Sequence, residues 1–559
     1  MAGGRLQGLG VSAGTASGPV ARRAEAPRPP VGELNGADPA TEVARAEKAF
    51  SAVADELERR AAGVGGESAA ILGATALLAR DPGLWASVKG LITSGTPTAH
   101  AVDQGVEGFC TMLEKIGGYM GERVADLRDV RDRTLSVLLD LPMPGIPHPG
   151  HPYVLVADDL APADTATLDP TEVVALVTSG GGPTSHTAIL AKSLGLPAVV
   201  RCEGSETLTD GTLVVVEGST GEVLVDPDAA ELAEVVRKRA ARAAVADASK
   251  GPGRTADGHA VALLVNVGTV DQARAAAAVD SEGVGLFRTE FLFLERRTAP
   301  TVQEQTADYT AVFEAFAGRR VVLRTLDAGA DKPMPFVTLF EEPNPALGVR
   351  GLRTARHSPE ILADQLTAVA AAAEATGADV RVMAPMVATP AEAADFAALA
   401  RSHGLRTVGV MVEIPAAALR ARGVLAGVDF VSLGTNDLTQ YVMAADREAG
   451  ELAELLDPWQ PGLLDLVAST GAAGTALGKP VGVCGEAASD PLLSLVLVGL
   501  GVTSLSMAPG ALPAVRFALG AHTLAECQEL ARLALAADDA VQAKAAVRSA
   551  AAPDVVAAL

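Results

Sequence analysis

Hydrophobic residues recur along this chain at two different spacings, and the spacing changes at identifiable points. Residues 1–25 form short apolar runs interrupted by Gly14 and Gly18, a pattern typical of β-strands. From about residue 33 to 143 the apolar positions follow a helical spacing, as in the segment ATEVARAEKAFSAVADELERRAAG. The pattern predicts a short β segment followed by an all-helical module.

Strand-like runs return after a proline-rich joint, LPMPGIPHPGHP, through which no helix can continue. They lie at 153–157, 173–178, 197–202, 212–217 and 222–226, with room for a helix between the second and the third. We therefore expect an α/β domain of residues 1–30 and 145–228, into which the helical module of residues 31–144 is inserted. The Ala-rich residues 229–252 are predicted to form a helical linker.

Apolar β runs alternate with helical stretches from about residue 255 onward. Eight runs can be distinguished: VALLVNV (261–267), VGLFRT (284–289), VVLRT (321–325), RVMAPM (381–386), VGVMVE (408–413), FVSLG (430–434), VGVCG (481–485) and SLSM (504–507). Eight β/α units over roughly 290 residues are the size and period of a TIM barrel. The predicted fold is thus α/β multidomain, with a C-terminal TIM (β/α)8 barrel at residues 253–559.

Composition narrows the classes of partner and compartment. The net charge of -23 over 559 residues disfavours a nucleic-acid partner, because such partners need a basic surface. Any phosphate site must then be a local cluster of arginines. The four cysteines (Cys110, Cys202, Cys484 and Cys527) form no metal-binding pair, and free thiols indicate a reducing compartment. With no signal peptide and no apolar run long enough for a membrane span, we expect a cytoplasmic protein without membrane contact.

Polar residues stand at the ends of the predicted barrel strands or in the loops that follow, where TIM barrels carry their chemistry. These residues are Arg288, Arg324, Arg350, Glu413, Asn436, Asp437, Arg447 and Cys484. Guanidinium groups bind phosphate and carboxylate oxygens bidentately, which suits a small, multiply charged anion. Glu413 and Asp437 suit Mg²⁺, which takes few carboxylates and completes its shell with water and phosphate oxygens. A thiol beside such a site can donate a proton.

Each of these residues also has a structural interpretation, which stays open at this point. An arginine at a strand end is often half of an ion pair, and Glu413 or Asp437 could be its partner. A buried cysteine commonly behaves as a small hydrophobic residue. The concentration of all of them on one predicted face favours a site, provided that the predicted register is right.

A histidine lies in a second candidate site, in the segment GGPTSHTAILAKSLG (181–195). A glycine-rich loop precedes it, and His186 falls in the first turn of a predicted helix, where free N–H groups favour a phosphate. A neutral imidazole is nucleophilic without a base. We therefore predict that His186 is a phosphoryl acceptor; helix capping, core packing or metal ligation with Cys202 are the alternatives.

At this point the residues resemble a known family. GGPTSHTAILAKSLGLPAVV resembles the phosphohistidine segment of the phosphoenolpyruvate (PEP)-utilising enzymes, and DFVSLGTNDLTQYVMAADR resembles the second signature, in their PEP-binding barrel. EGVGLFRTEFLF, RTLDAGADK, NPALGVR, VMVEIPAA and GVCGEAA extend the likeness through the barrel. The domain order, with a helical insert and no ATP-grasp domain before the histidine, resembles the enzyme I branch of the bacterial PEP:sugar phosphotransferase system over essentially the whole chain.

The resemblance implies a PEP-dependent protein phosphotransferase that forms a phosphohistidine. The phosphoryl group of PEP would pass to His186 with release of pyruvate, and then to a histidine of the phosphocarrier protein HPr, docked on the helical insert. The implied PEP ligands are Arg288, Arg324, Arg350, Asn436, Asp437 and Arg447. Glu413 and Asp437 would hold Mg²⁺, Cys484 would protonate the enolate, and Thr165 would hydrogen-bond the histidine. The β/α phosphohistidine domain is expected to swivel, and the barrel to form a homodimer.

The chain differs from the family pattern at two positions of the histidine segment. Pro183 and Lys192 stand where the family commonly has arginine, which affects how the phosphohistidine is positioned and leaves the reaction unchanged.

Two alternative functions stay open. The first alternative is a PEP synthase-like or dikinase-like enzyme that needs a separate nucleotide-binding chain. The second is a PEP-sensing regulatory phosphoprotein, against which Cys484 and the arginines count, because a sensor need not protonate an enolate.

Overall fold

The computed structural model describes residues 4–12, 14–23, 27–32, 38–63, 66–116, 123–141, 145–158, 160, 168–182, 186–293, 296, 298–330, 334–338, 342–447 and 449–558. The chain divides into two compact units, Met1–Arg237 and Lys238–Leu559. Within the described ranges, no helix combines the length and the apolar character that a membrane crossing requires.

The first unit contains an eight-stranded sheet in the order β1-β8-β7-β3-β4-β5-β6-β2. Its strands are β1 (Arg5–Gln7), β2 (Leu9–Ser12), β3 (Thr15–Arg22), β4 (Tyr153–Ala157), β5 (Val173–Thr178), β6 (Ala198–Val200), β7 (Leu213–Glu217) and β8 (Glu222–Val225). Strands β3 to β6 are parallel, and the other pairings are antiparallel. Every residue of β4 is buried, which explains its uninterrupted apolar run.

Helices make up most of the described residues between β3 and β4, as the helical spacing predicted. They are α1 (Pro39–Gly63), α2 (Gly66–Ala79), α3 (Pro82–Thr93), α4 (Thr98–Ile116) and α5 (Val124–Leu138). Helix α3 starts with proline in its first turn, and the Asp81 side chain caps it by accepting from the Leu84 N–H. The bundle has a largely aliphatic core of its own, so the predicted helical insertion into an α/β domain is confirmed.

Other helices of the described residues lie further along this part of the chain. Helix α6 (His186–Leu194) lies between β5 and β6, where the sequence left room for one helix. Its buried residues Ala188 and Ala191 join the core on one side of the sheet. Helix α7 (Ala229–Ala248) follows β8, and the division between the two units falls inside it.

The second unit is a closed barrel of eight parallel strands, in which β16 pairs with β9. The strands are β9 (Ala262–Val267), β10 (Gly283–Arg288), β11 (Arg320–Arg324), β12 (Val380–Ala384), β13 (Thr407–Val412), β14 (Phe430–Leu433), β15 (Val481–Val483) and β16 (Ser504–Met507). Each overlaps one of the eight predicted runs. The TIM barrel is therefore confirmed.

Helices surround these strands. They are α8 (Val270–Ala277), α9 (Val302–Ala315), α10 (Pro359–Thr376), α11 (Pro390–Ser402), α12 (Pro415–Leu419), α13 (Ala421–Gly427), α14 (Thr435–Met443), α15 (Pro461–Leu477), α16 (Pro491–Gly499), α17 (Leu512–Gly520), α18 (Leu524–Leu535), α19 (Ala540–Ala550) and α20 (Pro553–Ala558). Capping boxes start α9, α11 and α18 at Thr301, Thr389 and Thr523. The sequence thus carries local start signals for the helices that follow the strands.

The barrel has two apolar layers. A large cluster packs strands against helices. A small cluster fills the interior: Leu286, Val322, Met383, Met411, Phe430 and Cys484. Because Cys484 belongs to this inner cluster and follows β15, the groups at the strand ends adjoin an apolar interior.

Candidate functional site

Two arginines, Arg288 and Arg324, end the neighbouring strands β10 and β11. Arg324 is buried and paired: its Nη1 lies 3.0 Å from Asp327 Oδ2, and its Nη2 donates to Glu290 Oε1. Burial works against the charged form, but the carboxylates of Asp327 and Glu290 outweigh it and raise the pKa of Arg324. Arg288 is partly exposed and makes no hydrogen bond or ion pair with any described residue. It is therefore the guanidinium most open to an added anion.

Arg350 is fully buried and binds two carboxylates at once. Its Nε and Nη2 donate to Asp327 Oδ1 and Oδ2 at 3.0 and 3.1 Å. Its Nη1 and Nη2 donate to Asp437 Oδ1 and Oδ2 at 2.8 and 3.2 Å. The structure thus places Arg350 as a bridge between the loop after β11 and the helix after β14.

Glu413 follows β13 and is only 1% exposed. Its Oε1 accepts a hydrogen bond from the Met386 N–H at 2.6 Å, and Met386 has a φ of +60°, a strained conformation for a residue with a side chain. Burial raises the pKa of Glu413 to about 8, and the charges of Asp437 and Asp327 add to the rise. Glu413, Asp437 and Asp327 are therefore close enough to repel one another, and a bound cation would reduce that repulsion.

Helix α14 presents Asn436 and Asp437 in its first turn. Asn436 is exposed, and its Oδ1 accepts from the Glu486 N–H at 3.1 Å, which leaves its amide nitrogen directed elsewhere. Asp437 is buried; burial alone would raise its pKa, but Arg350 and then Arg447 hold it below the ordinary value. Arg447 Nη1 lies 3.9 Å from Asp437 Oδ1, and 30% of the Arg447 side chain is exposed.

Cys484 follows β15 and is 2% exposed. Its Sγ–H donates to the Leu433 carbonyl at 3.6 Å. Burial raises the pKa of the thiol, although a hydrogen bond with Ser432 and the charges of Arg324 and Arg288 oppose the rise. The thiol is thus protonated at neutral pH and can give up a proton to a group bound beside the arginines.

The next residue, Gly485, packs against the start of α14. A Cβ added there would lie 1.9 Å from Thr435 Oγ1 and 2.8 Å from the Thr435 backbone nitrogen. The hydroxyl could rotate away, but the backbone nitrogen could not, so Gly485→Ala should displace Cys484 relative to Asn436 and Asp437. A misplacement of about 1 Å costs about 10²-fold in rate. We expect kcat/KM for PEP, the substrate that the resemblance implies, to fall by about that factor in steady-state assays.

The matched control is Gly510→Ala, at a barrel glycine whose Cβ would meet nothing within 4 Å. Its kcat/KM should stay at the unsubstituted value. Equal rates for the two variants would show that close approach at Gly485 does not matter.

The histidine segment lies in the other unit. His186 is the first residue of α6, and the loop before it is held by Arg201, whose N–H and Nε–H donate to the carbonyls of Gly180 (3.2 Å) and Gly181 (3.0 Å). Gly181 has a φ of +79°, which favours glycine at this position. The predicted position at the helix start is therefore observed. Thr165, Pro183 and the side chains of His186 and Lys192 lie outside the described residues.

Two carboxylates were not singled out from the sequence although both lie in segments of the resemblance. Glu290 stands in FRTEF and Asp327 in RTLDAGADK, and both are buried against Arg324. The available signal was a charge inside an otherwise buried stretch. Such a charge needs a partner of opposite sign, but the sequence does not say which arginine supplies it.

The likeness to known proteins extends over both units. A family model for the PEP-binding domain of PEP-utilising enzymes matches residues 242–523, the model for their mobile domain matches 149–221, and the model for their N-terminal domain matches 7–123. The candidate site residues of the barrel lie in the first match, and His186 lies in the second. The barrel residues are Arg288, Arg324, Arg350, Glu413, Asn436, Asp437, Arg447 and Cys484.

Three relatives share the name phosphoenolpyruvate-protein phosphotransferase. The chain is 52% identical to the one from Streptomyces coelicolor over 97% of its own length and 98% of the relative's. It is 42% identical to the one from Haloferax volcanii over 89% and 90% of the two chains. It is 38% identical to the one from Bacillus subtilis over 91% and 93%. The chain therefore belongs to the PEP-utilising enzyme family, among its phosphoenolpyruvate-protein phosphotransferases.

Proposed function

We propose that this chain transfers the phosphoryl group of PEP to its own His186, releases pyruvate, and passes the phosphoryl group to a histidine of HPr. One observation carries the barrel half of this proposal: Arg288, which has no hydrogen bond or ion pair with any residue that the structure describes, ends the strand next to that of Arg324, a paired arginine, and the buried thiol of Cys484 follows another strand of the same barrel. That combination suits an anion whose carbon must receive a proton. The full-length similarity to PEP-dependent phosphotransferases supports the same substrate.

PEP carries a phosphate and a carboxylate, so it needs several cationic forks. We assign Arg288 and Arg447 to direct contact because both residues are partly exposed. Arg324 contributes from the buried side, and the Asn436 amide adds a neutral donor. Arg350 is saturated by Asp327 and Asp437, so we assign it to holding those carboxylates in place.

Mg²⁺ fits the carboxylates at this site. Among the described residues no group of three or more His, Cys, Asp or Glu could hold a metal ion alone. Glu413 and Asp437 are a pair, however, and Mg²⁺ uses one or two carboxylates with waters and substrate oxygens. We propose that these two residues hold it; when bound, the ion supplies positive charge against the phosphate oxygens.

The proposed phosphoryl transfer requires only PEP, His186, Cys484 and water as reacting groups. The bond between the enol oxygen and phosphorus breaks, and a ring nitrogen of His186, by family analogy Nε2, forms the new bond to phosphorus. The enolate carbon takes the Cys484 proton, which gives pyruvate, and the thiolate regains a proton from water. Because phosphoryl transfer needs an approach of about 3–3.5 Å, the mechanism requires a conformation in which His186 reaches the strand ends of the barrel.

The remaining roles rest on the family alone. We propose that the helical insert of residues 31–144 binds HPr, that Thr165 hydrogen-bonds His186, and that the barrel of residues 253–559 forms a homodimer. We also propose a cytoplasmic location, for which the four buried free thiols are the support.

Labelled PEP tests the proposal directly. The full chain with [³²P]PEP and Mg²⁺ should acquire an acid-labile, base-stable label, and added HPr should remove that label and carry it. Chelation of the metal should prevent labelling. Label that stays on the chain in the presence of HPr would favour a regulatory phosphoprotein, and transfer to AMP would favour a dikinase-like enzyme.

A further inference from the structure

Asp327 is a fully buried carboxylate between two arginines. Its Oδ2 lies 3.0 Å from Arg324 Nη1. On the other side, Arg350 Nε lies 3.0 Å from its Oδ1 and Arg350 Nη2 lies 3.1 Å from its Oδ2. A buried carboxylate is strongly unfavourable unless it is paired and hydrogen-bonded. The two arginines supply that pairing for Asp327, and Asp327 in turn holds a guanidinium group on each side.

Each of the two arginines also binds a second carboxylate, and the two carboxylates are different. Arg324 reaches Glu290, and its Nε is buried without an acceptor in the described part of the chain. Arg350 reaches both oxygens of Asp437. The result is a chain of alternating charge, Glu290–Arg324–Asp327–Arg350–Asp437, with Asp327 at its centre. Arg324, the second member of this chain, is the arginine proposed for PEP, and Asp437, at the opposite end from Glu290, is a carboxylate proposed for Mg²⁺.

We propose that Asp327 is a positioning residue that sets the geometry of the anion subsite and of the metal subsite together. It orients Arg324 directly, and it orients Asp437 through Arg350. This inference rests on the proposed function, and Asp327 itself contacts neither ligand.

The geometry makes replacement by asparagine informative. In Asp327→Asn an NH₂ group replaces one carboxylate oxygen. This group is a hydrogen-bond donor, and it would face the N–H donors of the guanidinium groups without an acceptor for them. Arg350 then loses at least one of its two hydrogen bonds to residue 327. Its side chain is held less firmly, and so is the Asp437 carboxylate that it binds. Arg324 loses the negative partner at its Nη1, where the Met411 sulfur at 3.7 Å remains, and it keeps its ion pair with Glu290 on the other side.

Ligand binding without turnover is the most direct test. In a His186→Ala background PEP has no acceptor, so calorimetry can measure the Kd of PEP at saturating Mn²⁺, and the EPR signal of free Mn²⁺ can give its Kd at saturating PEP. We expect Asp327→Asn to raise both Kd values about tenfold. Arg324→Lys should raise chiefly the Kd of PEP, and Arg350→Lys chiefly that of Mn²⁺.

A double substitution distinguishes positioning from general loosening. Because Asp327 acts on the metal subsite through Arg350, Asp327→Asn added to Arg350→Lys should raise the Kd of Mn²⁺ little further. Additive increases would overturn the proposal. If Asp327→Asn does not fold, Asp327→Glu, which keeps the charge and displaces it by one methylene, should show the same paired increases in Kd.

Glu282→Gln is the matched control. Glu282 is a partly buried carboxylate just before β10, at the opposite end of the barrel, and its Oε2 accepts from the N–H groups of Gly253 (3.0 Å) and Leu263 (2.9 Å). Its loss should lower the melting temperature and leave both Kd values unchanged. If the unsubstituted chain accepts no label from PEP, the proposed function itself fails. If it accepts label while folded Asp327→Asn keeps either Kd, only the role of Asp327 fails.

Discussion

His186→Ala is expected to abolish phosphorylation of the chain by PEP. The imidazole is the only proposed acceptor, and alanine removes it from the start of α6. Since alanine is tolerated in helices, the substitution should not unfold the sheet on which the helix packs. The measurement is acid-labile, base-stable ³²P on the protein after incubation with labelled PEP and Mg²⁺, followed by transfer to HPr. Both should fall to background.

His148→Ala is the matched control in the same unit. His148 is exposed and its Nδ1 lies 2.9 Å from Glu172 Oε2, so its loss removes a histidine and one surface contact only. This variant should be labelled as fast as the unsubstituted chain. Label on His186→Ala, or its loss from His148→Ala, would show that the acceptor has been assigned to the wrong histidine.

Cys484→Ala should slow pyruvate formation by about 10² to 10⁴-fold, the range expected for a lost general acid. The thiol is buried, its pKa is raised by that burial, and so it carries its proton through the neutral pH range. Alanine keeps most of the volume and removes the proton. Pyruvate release can be followed by coupled reduction to lactate, and PEP binding by calorimetry should stay within a few-fold of the unsubstituted value.

Cys527→Ala provides the control for loss of a buried thiol. Cys527 is fully buried in α18, and burial raises its pKa to about 12. It belongs to the large cluster between helices and strands, so its replacement should lower stability without slowing pyruvate formation. An unchanged pyruvate rate in Cys484→Ala would remove the thiol from the mechanism. A tenfold loss of PEP affinity would instead indicate a binding role.

Much of the fold could be predicted because it depends on local periodicity. Each of the eight apolar runs became a barrel strand, and β14, β15 and β16 begin at the predicted residues, Phe430, Val481 and Ser504. The other strand starts differ by one residue and several strand ends by one or two; Glu413, for example, lies just beyond β13. Parallel strands place their carboxyl ends on one face, so the barrel prediction by itself brought the arginines, carboxylates and thiol to the same end.

The roles within the site were harder to infer, because they depend on pairings between residues distant in sequence. Arg350 was expected to help hold PEP, yet it binds Asp327 and Asp437, 23 and 87 residues away. Asp327 and Glu290 were missed for the same reason: a charge in a buried segment predicts a partner without naming it. Whether each assigned residue performs its proposed role stays a prediction, as does everything concerning Thr165 and the His186 ring.

The order of modules, the barrel, the family and the polar residues at the strand ends could be inferred from the sequence, because they follow from spacing and from motifs along one dimension. Which of those polar residues pair with one another depends on the folded structure. Burial and distance left Arg288 open to an anion, joined Arg324, Asp327, Arg350 and Asp437 into one ion-pair chain, and kept Cys484 protonated. Charge compensation in a low-dielectric interior is a property of neighbours in space, and spacing along a chain does not contain it.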